Sequence, residues 1–316
     1  MKWLVGVLVV LAALGGVFYW AVIDGDAPPG PQNEFDIAAY RALVAGDAPE
    51  TLPTAINYQV IGASEAPGFA AESGAFSTGQ RTFDYGTFQI VAPGGDILVD
   101  AAVDQATLNE MSKGKGRFDA AAYQSVLDAM TRAPIVMITH EHIDHVMAVA
   151  RHPEPAALAP RLRLTPEQLA GLPQHAINGQ LAPEIAAVAP IDLTRPTRIA
   201  PGIVAVAAPG HTAGEIVIYV KTTTREYLLI GDIAWVFESV EHARGRPRFI
   251  RWIMPGVDPD RAHVLRQLRA LHDIHAAEPG LVIMPSHDDT YLRRLMADGA
   301  LGDGLAGANT AAPPAR

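Results

Sequence analysis

The stretch PIVMITHEHIDHVMAV, residues Pro134–Val149, decides which fold this sequence can adopt. Its apolar first part predicts a buried strand and its apolar last part predicts a helix. Between them, three imidazoles and two carboxylates fall within six positions: His140, Glu141, His142, Asp144 and His145. Alternate residues of an extended chain point the same way, so His140 and His142 can grip one cation, and the next turn can aim at a second point. Such a cluster at the end of a strand predicts a functional site rather than ordinary surface histidines.

Length, composition and charge exclude several classes of protein. The chain has 316 residues, 34 acidic against 24 basic side chains, a formal net charge of -10 and no cysteine. This length fits one large or two small domains with a real core. Without cysteine there is no disulfide framework, no thiolate zinc site and no cysteine nucleophile, so histidines and carboxylates must hold any metal. The negative charge argues against nucleic acid as a partner.

The first residues predict a transmembrane helix. The run from Trp3 to Ile23 carries no charge and is long enough to cross a bilayer core of about 30 Å. Trp3 at one end and Tyr19 with Trp20 at the other suit the two membrane interfaces. Signal peptides end in small residues before the cleavage site, whereas this run has the bulky Phe18, Tyr19 and Trp20 near its end. This favours an uncleaved anchor over 1–23, with a cleaved signal peptide as the alternative.

Charges flanking this run predict its orientation. Lys2 precedes it, and Asp24 and Asp26 follow it. The positive-inside rule then predicts a single-pass protein with its body on the periplasmic, extracytoplasmic side, or a secreted body if the signal is cleaved. We expect a Pro/Gly-rich tether at 24–33, a body at 34–297 and a disordered Gly/Ala/Pro-rich tail at 298–316.

The body mixes short apolar strands with amphipathic helices, which predicts a layered α/β or α+β architecture. The predicted strands are Thr87–Ala92, Ile97–Asp100, Ile135–Thr139, Ile203–Ala207, Ile216–Val220, Tyr227–Ile230 and Leu281–Met284. The predicted helices are Asp119–Arg132 and Asp258–Ala277. Each half has a β-rich stretch followed by a helix, so two similar halves are expected to face each other.

The segment THEHIDH resembles the H-x-H-x-D-H signature of the metallo-β-lactamase-fold hydrolases, in particular the binuclear branch of lactonases and glyoxalase II-like enzymes. The other residues of the family's pattern are present in the family's order. Asp100 in ILVD lies before this segment, and His211 in APGHTAGE, Asp232 in LLIGDIAW and His287 in LVIMPSHDD lie after it. Each lies after an apolar strand, and together they cover most of the body.

This resemblance implies a four-layer αββα sandwich with two divalent metal ions between its halves. By position, the resemblance implies that His140, His142 and His211 bind the first ion and that Asp144, His145 and His287 bind the second. It also implies that Asp232 bridges both ions and that Asp100 orients the metal loop. These ligands suit zinc, with iron or manganese as alternatives. Such a pair can polarise a carbonyl and hold a bridging hydroxide as nucleophile, and Asp144 can shuttle a proton to the leaving group. Asp144 and Asp232 are therefore the predicted catalytic residues.

Two positions depart from relatives of this kind. His142, in place of glutamate, does not resemble the oxygen-reducing di-iron branch. Some lactone-hydrolysing relatives carry a tyrosine three positions beyond the bridging aspartate, where this chain has Trp235. This departure weakens a homoserine-lactonase assignment without removing it.

Further residues are candidates for substrate contacts. Trp235 is a candidate pocket wall, and Arg244, Arg246 and Arg248 either clamp a substrate carboxylate or phosphate or form a solvated loop. The segment Gly68–Gly86 either covers an apolar substrate chain or is an ordinary surface loop. Its aromatic residues are Phe69, Phe76, Phe83 and Tyr85.

Together these features predict a membrane-anchored binuclear metallohydrolase acting on an ester, lactone or thioester carbonyl of a small molecule. The alternatives are a phosphodiester or β-lactam hydrolase with the same metals, or a non-catalytic metal- or ligand-binding module. A structural zinc site needs four ligands, so seven argue for catalysis. No oligomeric state follows from the sequence.

Overall fold

Two β-sheets face each other at the centre of the molecule, in a computed structural model that describes residues 2–75 and 79–307. The strands are β1 (Ala55–Pro67), β2 (Gln80–Val91), β3 (Ile97–Val99), β4 (Arg117–Phe118), β5 (Ile135–Met137), β6 (Thr197–Ala200), β7 (Ile203–Ala207), β8 (Ile216–Lys221), β9 (Glu226–Leu229), β10 (Leu281–Met284) and β11 (Gly302–Asp303). The first sheet has the order β11-β1-β2-β3-β5, with β4 also paired to β1, and the second has the order β10-β9-β8-β7-β6.

Helices of the body cover the outer faces of both sheets and complete the αββα arrangement, whereas the amino-terminal helix lies apart from them. The helices are α1 (Lys2–Phe18), α2 (Ile37–Leu43), α3 (Gln105–Met111), α4 (Ala120–Arg132), α5 (Ile143–Ala150), α6 (Pro155–Leu158), α7 (Pro166–Gly171), α8 (Pro183–Ala186), α9 (Phe237–Glu241), α10 (Ile250–Ile253), α11 (Arg261–Ala277) and α12 (Asp289–Ala297). Short 3-10 turns lie at Pro49–Thr51, Gly68–Ala70, Ala159–Arg161, Leu172–His175 and Ile177–Gly179.

The main core lies between the sheets. Ile56 and Phe88 of the first sheet belong to the same buried cluster as Val204 and Ile218 of the second. A second cluster lies on the other face of the first sheet, where Val126 of α4 packs near Val136. Nearly continuous apolar strands such as β8, IVIYVK, are what burial on both faces requires.

The predicted strands and helices are present, with ends shifted by at most three residues except in β2. This strand begins at Gln80, seven residues before the predicted Thr87, so the second part of the segment Gly68–Gly86 is strand rather than loop. The strand β1, thirteen residues long, is absent from the sequence prediction. Its pairing with β2 is irregular between Val60 and Gly62, and it ends in the polar, proline-containing run Ser64–Pro67. A bulge shifts the alternation of inward and outward side chains, which hides the strand from a test based on period two.

The prediction of a disordered tail at 298–316 is wrong for residues 298–307, and residues 308–316 lie outside those described. Gly302 and Asp303 add a parallel strand beside β1. Leu301 and Leu305 are buried, which fixes this Gly-rich segment without any periodic pattern. The folded body therefore extends past residue 297.

The segment 24–33 is also more than a free tether at its start. The backbone N–H of Gly245 donates to Gly25 O (2.8 Å), and that of Ala27 donates to Ala243 O (2.8 Å). Ala27 is buried. Pro/Gly-rich composition predicts a linker but does not reveal that its backbone groups pair with a distant loop.

The amino-terminal helix α1 continues into a π-helical turn, Tyr19–Ile23. The combined helix Lys2–Ile23 has 22 residues and a mean hydropathy of 2.3 in its most apolar window, which is long and apolar enough to cross a membrane. No residue of α1 is buried against the body.

Candidate metal centre

Ends of strands and one helix start bring all seven predicted ligands together. His140 and His142 follow β5, and Asp144 and His145 form the first turn of α5. The remaining three follow β7, β9 and β10 in turn: His211, Asp232 and His287. Because β3 runs parallel to β5 and β9 runs parallel to β10, their carboxyl ends meet at one edge of the sandwich.

The first cluster consists of His140, His142 and His211. His142 Nδ1 lies 3.1 Å from His140 Nε2 and 2.9 Å from His211 Nε2. Two nitrogens that bind one zinc ion at a tetrahedral angle lie about 3.4 Å apart. The three nitrogens are therefore close to the spacing of ligands around a single cation.

The second cluster consists of Asp144, His145, Asp232 and His287. His287 Nε2 lies 3.1 Å from His145 Nε2, 3.4 Å from Asp144 Oδ2 and 3.0 Å from Asp232 Oδ1. Imidazole nitrogens and carboxylate oxygens converge here at the same spacing as in the first cluster. This donor set fits a second divalent cation.

Asp232 joins the two clusters, as a bridging ligand must. Its Oδ1 faces His287 and His145, whereas its Oδ2 lies 3.5 Å from His211 Nε2 and 3.8 Å from His140 Nε2. Oδ1 is buried and accepts no hydrogen bond from the residues that the structure describes. A buried carboxylate oxygen in this state is costly unless a cation satisfies it, so the carboxylate itself supports a fit of two ions.

The local electrostatics favour the metal-binding forms of these side chains. Burial, reinforced by the charge of His211, lowers the pKa of His142 to about 3. Burial also holds the pKa of His140 well below its ordinary value. Burial would raise the pKa of Asp232, but His287 and His145 outweigh it and hold that pKa well below the ordinary value. Neutral imidazoles and an ionised carboxylate are the forms that bind metals.

Both imidazoles of the second cluster have the opposite tendency. Burial would lower the pKa of His287, but Asp232 and Asp144 raise it above its ordinary value. Burial would lower the pKa of His145, but the carboxylates of Asp100, Asp144 and Asp232 raise it well above its ordinary value. Surplus negative charge around the second cluster therefore attracts a cation, whether a proton or a metal.

Hydrogen-bond acceptors behind the histidines set their orientation. His145 Nδ1 lies 3.1 Å from Asp100 Oδ2, and His287 Nδ1 lies 2.7 Å from the backbone oxygen of Asp84. Asp100 also accepts from the backbone N–H of Thr139 (2.7 Å), which holds the start of the metal loop. The predicted orienting aspartate is thus at the metal loop, in the arrangement that fixes ring orientation and tautomer.

Two further buried acidic residues lie behind the clusters and were not predicted from the sequence. Asp258 orients His211, with its Oδ1 2.8 Å from His211 Nδ1, whereas Glu215 Oε2 lies 3.4 Å from His140 Nδ1 without a hydrogen bond to it. Glu215 instead accepts from the backbone N–H of Asp232 (3.0 Å). The only sequence signal for Glu215 is its position four residues after His211 in HTAGE. Asp258 was predicted to start a helix, but α11 begins at Arg261.

An apolar cavity of about 660 Å³ opens above the second cluster, with Asp144 and His287 in its lining. Its aromatic wall includes Phe69, Phe83, Tyr85, Trp235 and Phe249. Segment Gly68–Gly86 therefore supplies part of the cavity wall, although Phe76 lies outside the described residues. This volume and lining are typical of a site for a small organic molecule.

Trp235 lies where a substrate-contacting residue is expected. Its Nε1 donates to Asp232 Oδ2 (2.7 Å), and its ring lines the cavity. The tryptophan thus holds the Asp232 carboxylate while presenting an apolar surface to the cavity.

Of the two alternatives for the three arginines, the substrate clamp has no support in the structure, because none of the three lines this cavity. Arg246 is buried and pairs with Asp258. Arg244 pairs with Asp26 (2.7 Å) and Arg248 pairs with Asp24 (2.6 Å). Their carboxylate partners are distant in sequence, so the clustering of arginines could not reveal the three directions in which they point.

Solved structures resemble this chain at low sequence identity. An N-acyl homoserine lactone hydrolase, with N-hexanoyl-L-homoserine bound at its catalytic metal centre, has a TM-score of 0.56 and 14% identity, covering 77% of this chain and 96% of that chain. A probable metal-dependent hydrolase from Staphylococcus aureus has a TM-score of 0.57 and 12% identity, covering 76% and 91%. No protein-family model and no curated protein matches the chain.

The chain has the metallo-β-lactamase fold. A mutant of B. thuringiensis AiiA with N-decanoyl-L-homoserine at its active site shares it, with a TM-score of 0.56, 14% identity and coverage of 77% and 96%. The metallo-β-lactamase fold predicted from THEHIDH and the other residues of the family's pattern is therefore confirmed.

Proposed function

We propose that this protein is a membrane-anchored binuclear metallohydrolase that cleaves an ester, lactone or thioester bond of a small molecule with an apolar acyl part. The observation that carries the proposal is the sharing of Asp232 by two ligand clusters at the floor of an apolar cavity. Phosphodiesters and β-lactams remain outcomes of the test.

Seven side chains would hold the two ions. His140, His142 and His211 would hold the first; Asp144, His145 and His287 would hold the second; and Asp232 would bridge them. Nitrogen and carboxylate donors without thiolate favour zinc, with iron or manganese as alternatives. Two such ions would supply Lewis-acid polarisation of a carbonyl and lower the pKa of water.

The chain's own residues would guide hydrolysis around this centre. Water adds to the acyl carbon, the acyl–oxygen or acyl–sulfur bond breaks, and a proton from water passes to the leaving group. Asp144 is the ligand carboxylate with the most exposed side chain, 15% against 3% for Asp232, so it can carry that proton. Trp235 keeps Asp232 in place during the reaction.

The cavity supports a carbonyl substrate with an apolar portion. Tyr85 packs edge-on against His287, with ring centroids 5.3 Å apart, and its hydroxyl lies 2.8 Å from Ser64 Oγ. Burial raises the pKa of Tyr85 well above its ordinary value, so the phenol stays protonated and can donate a hydrogen bond to a substrate oxygen. Tyr85 thus offers a hydroxyl near the two ligand clusters. Some relatives have a tyrosine at the position where this chain has Trp235.

The anchor assignment rests on contacts between the helix end and the body. Phe249 N–H donates to Ala21 O (3.2 Å), and Gly74 N–H donates to Val22 O (3.0 Å). Cleavage after Ala21 or later would remove part of this interface. We therefore favour an uncleaved single-pass anchor with the body on the extracytoplasmic side, as Lys2 indicates.

A substrate panel on the full-length protein in vesicles tests the proposal. Acyl lactones, aryl esters, glutathione thioesters, nitrocefin and bis-nitrophenyl phosphate are offered with zinc, manganese or iron, while metal content is measured. We expect about two metals per chain and turnover of a carbonyl substrate that chelation abolishes. His142→Ala should remove turnover, while His242→Ala, at an exposed histidine outside both clusters, should keep it.

Three results would contradict the proposal in different ways. Cleavage of only phosphodiester or only nitrocefin would assign another bond. Two bound metals without turnover of any substrate would favour a binding module. A soluble, processed protein recovered from cells would remove the anchor.

A further inference from the structure

The short helix α10 separates two cavities. One is the apolar cavity lined by Asp144 and His287, which we call the catalytic cavity, and the other lies at the end of the membrane helix. Ile250 and Ile253 of α10 line the catalytic cavity. On its other side, Arg251 and Trp252 line a second cavity of about 350 Å³ together with Trp20 and Arg248. One wall therefore belongs both to the site of chemistry and to the junction with the anchor.

The outer edge of this wall exposes three consecutive apolar side chains, which we call the rim: Trp252, Ile253 and Met254. They are 62%, 66% and 41% exposed. Among the described residues, the other large hydrophobic side chains this exposed are those of the helix 2–20 and two isolated ones, Leu43 and Ile177. A contiguous exposed apolar patch of this kind marks a contact surface.

Contacts with Trp20 place the rim beside the membrane end of the anchor. The rings of Trp20 and Trp252 have centroids 5.8 Å apart. Arg248 lies over the Trp20 ring at 5.5 Å and donates to Trp20 O (3.2 Å) and Asp24 O (2.7 Å). Tryptophans at the end of a membrane helix lie at the headgroup level, so Trp252 reaches the same depth.

Basic side chains complete the mouth of the catalytic cavity. Lys113 and Lys115 line it and are exposed, as is one acidic residue, Glu65. Arg251 is exposed beside Trp252, with no carboxylate within salt-bridge distance in the part of the chain described. Exposed aromatic and aliphatic side chains mixed with lysine and arginine suit a phospholipid surface.

We propose that the rim inserts into the headgroup layer of the membrane that holds the anchor, so that the catalytic cavity opens onto the bilayer and takes a membrane-partitioned amphiphile by its acyl chain. This inference rests on the proposed anchor and hydrolase function. Ile253 and Met254 line the cavity and are exposed, which gives an acyl chain an apolar path from lipid to the metal centre.

Single-cysteine labelling tests the contact independently of catalysis, because the natural chain has no cysteine. Full-length Ile253→Cys is labelled with an environment-sensitive nitrobenzoxadiazole probe and reconstituted in phosphatidylcholine–phosphatidylglycerol vesicles. We expect a blue-shifted emission and quenching by lipids that carry a nitroxide near the headgroup. An emission at the wavelength of the same probe free in water, without lipid quenching, would overturn the proposal.

Leu43→Cys is the matched control at another exposed apolar residue. Leu43 ends α2, and Arg41 of that helix bonds Glu226 and Glu278, at the starts of β9 and β10. The metal ligands follow the opposite ends of these strands. The probe at Leu43 should stay unquenched, and equal quenching at both positions would contradict a specific rim.

An activity measurement tests delivery from the bilayer. Trp252 faces the junction rather than the catalytic cavity, so Trp252→Gln should leave turnover of a short-chain soluble ester unchanged. It should lower turnover of a long-chain substrate held in vesicles about tenfold, the loss expected when one large apolar contact with lipid is removed. Equal effects on both substrates would overturn lipid delivery.

The two readouts separate this proposal from the hydrolase proposal. Lipid quenching at Ile253 without turnover of any substrate would defeat the hydrolase and with it substrate delivery. Turnover without quenching at Ile253 would leave the hydrolase standing and defeat the rim.

Discussion

Asp258 supports the first metal cluster from behind, and Asp258→Asn removes its charge while preserving its shape. The carboxylate contacts His211 Nδ1 (2.8 Å) and accepts from Arg246 Nε (3.1 Å). Asp258 is 2% exposed and Arg246 is 3% exposed. Asparagine is nearly isosteric and tolerates the backbone φ of 50° at this position. The expected loss is therefore electrostatic.

The structure gives the magnitude of the effect. Removing one partner of a buried ion pair costs about 3–5 kcal/mol, because the remaining charge is left without compensation. Losing a charged partner behind a metal-binding histidine lowers metal affinity about 10–100-fold. We expect both losses in Asp258→Asn, with weaker metal binding at the first cluster.

The pH dependence of stability follows from the same contacts. Burial raises the pKa of Asp258, but Arg246 and His211 outweigh it and hold the pKa well below its ordinary value. A lowered pKa in the folded state stabilises the protein fully above the unfolded value of about 3.9, and this contribution disappears as the pH falls towards the folded value. The difference between wild type and variant should therefore shrink below about pH 4.

Denaturant unfolding of the chelated full-length protein in detergent, followed by circular dichroism, measures the stability loss, and competition with a chromophoric chelator measures metal affinity. Asp26→Asn is the matched control, because Asp26 and Arg244 form an exposed pair in the same arginine cluster, and little change is expected. Adding Arg246→Met to Asp258→Asn should restore much of the stability, since no buried charge remains unpaired. A loss below about 1 kcal/mol in Asp258→Asn would refute the buried-pair argument.

Three further changes test the centre itself. His140→Ala should remove one metal and lower activity at least about 100-fold, and full metal content in the purified variant would contradict the assignment. Gly231→Ala should displace Asp232 and lower the metal content, because a Cβ would lie 2.1 Å from Glu215 Oε1 at a backbone φ of 52°. Measurement of the bound metal tests this, and an unchanged metal content would show that the loop adapts. Trp235→Phe should keep the cavity wall but lower kcat about tenfold by losing one hydrogen bond to an ionised group, and an unchanged kcat would show that Asp232 needs no such support.

The convergence of the seven candidate ligands could be predicted in part from the sequence, because several of them are constrained locally. His140 and His142 alternate along extended backbone, and each later ligand follows an apolar run that reads as a strand. Parallel strand pairs then bring these ends to one edge. The resemblance to a known family selected Asp232 as a partner of the histidine cluster and supplied the division into two clusters.

The supporting residues could not be predicted in the same way. Asp258 and Arg246 are hydrophilic residues in a stretch without clear periodicity, and each is buried because of the other. A pattern of hydrophobicity reports which face of an element is buried, but it does not report which distant charge will neutralise a buried one. Leu301 and Leu305 lie in a Gly-rich segment without a periodic pattern, so the sequence did not indicate that this segment packs onto β1.

The loop between Ala243 and Asp258 connects the anchor, the proposed rim and the first metal cluster. Its start forms backbone hydrogen bonds with Gly25 and Ala27, and its end orients His211 through Asp258. Removing residues 1–27 would leave Gly245 N–H and Ala243 O without these partners. The end of the amino-terminal helix is therefore a structural part of the body, and the proposed fixed orientation of the cavity mouth towards a lipid surface requires such a connection.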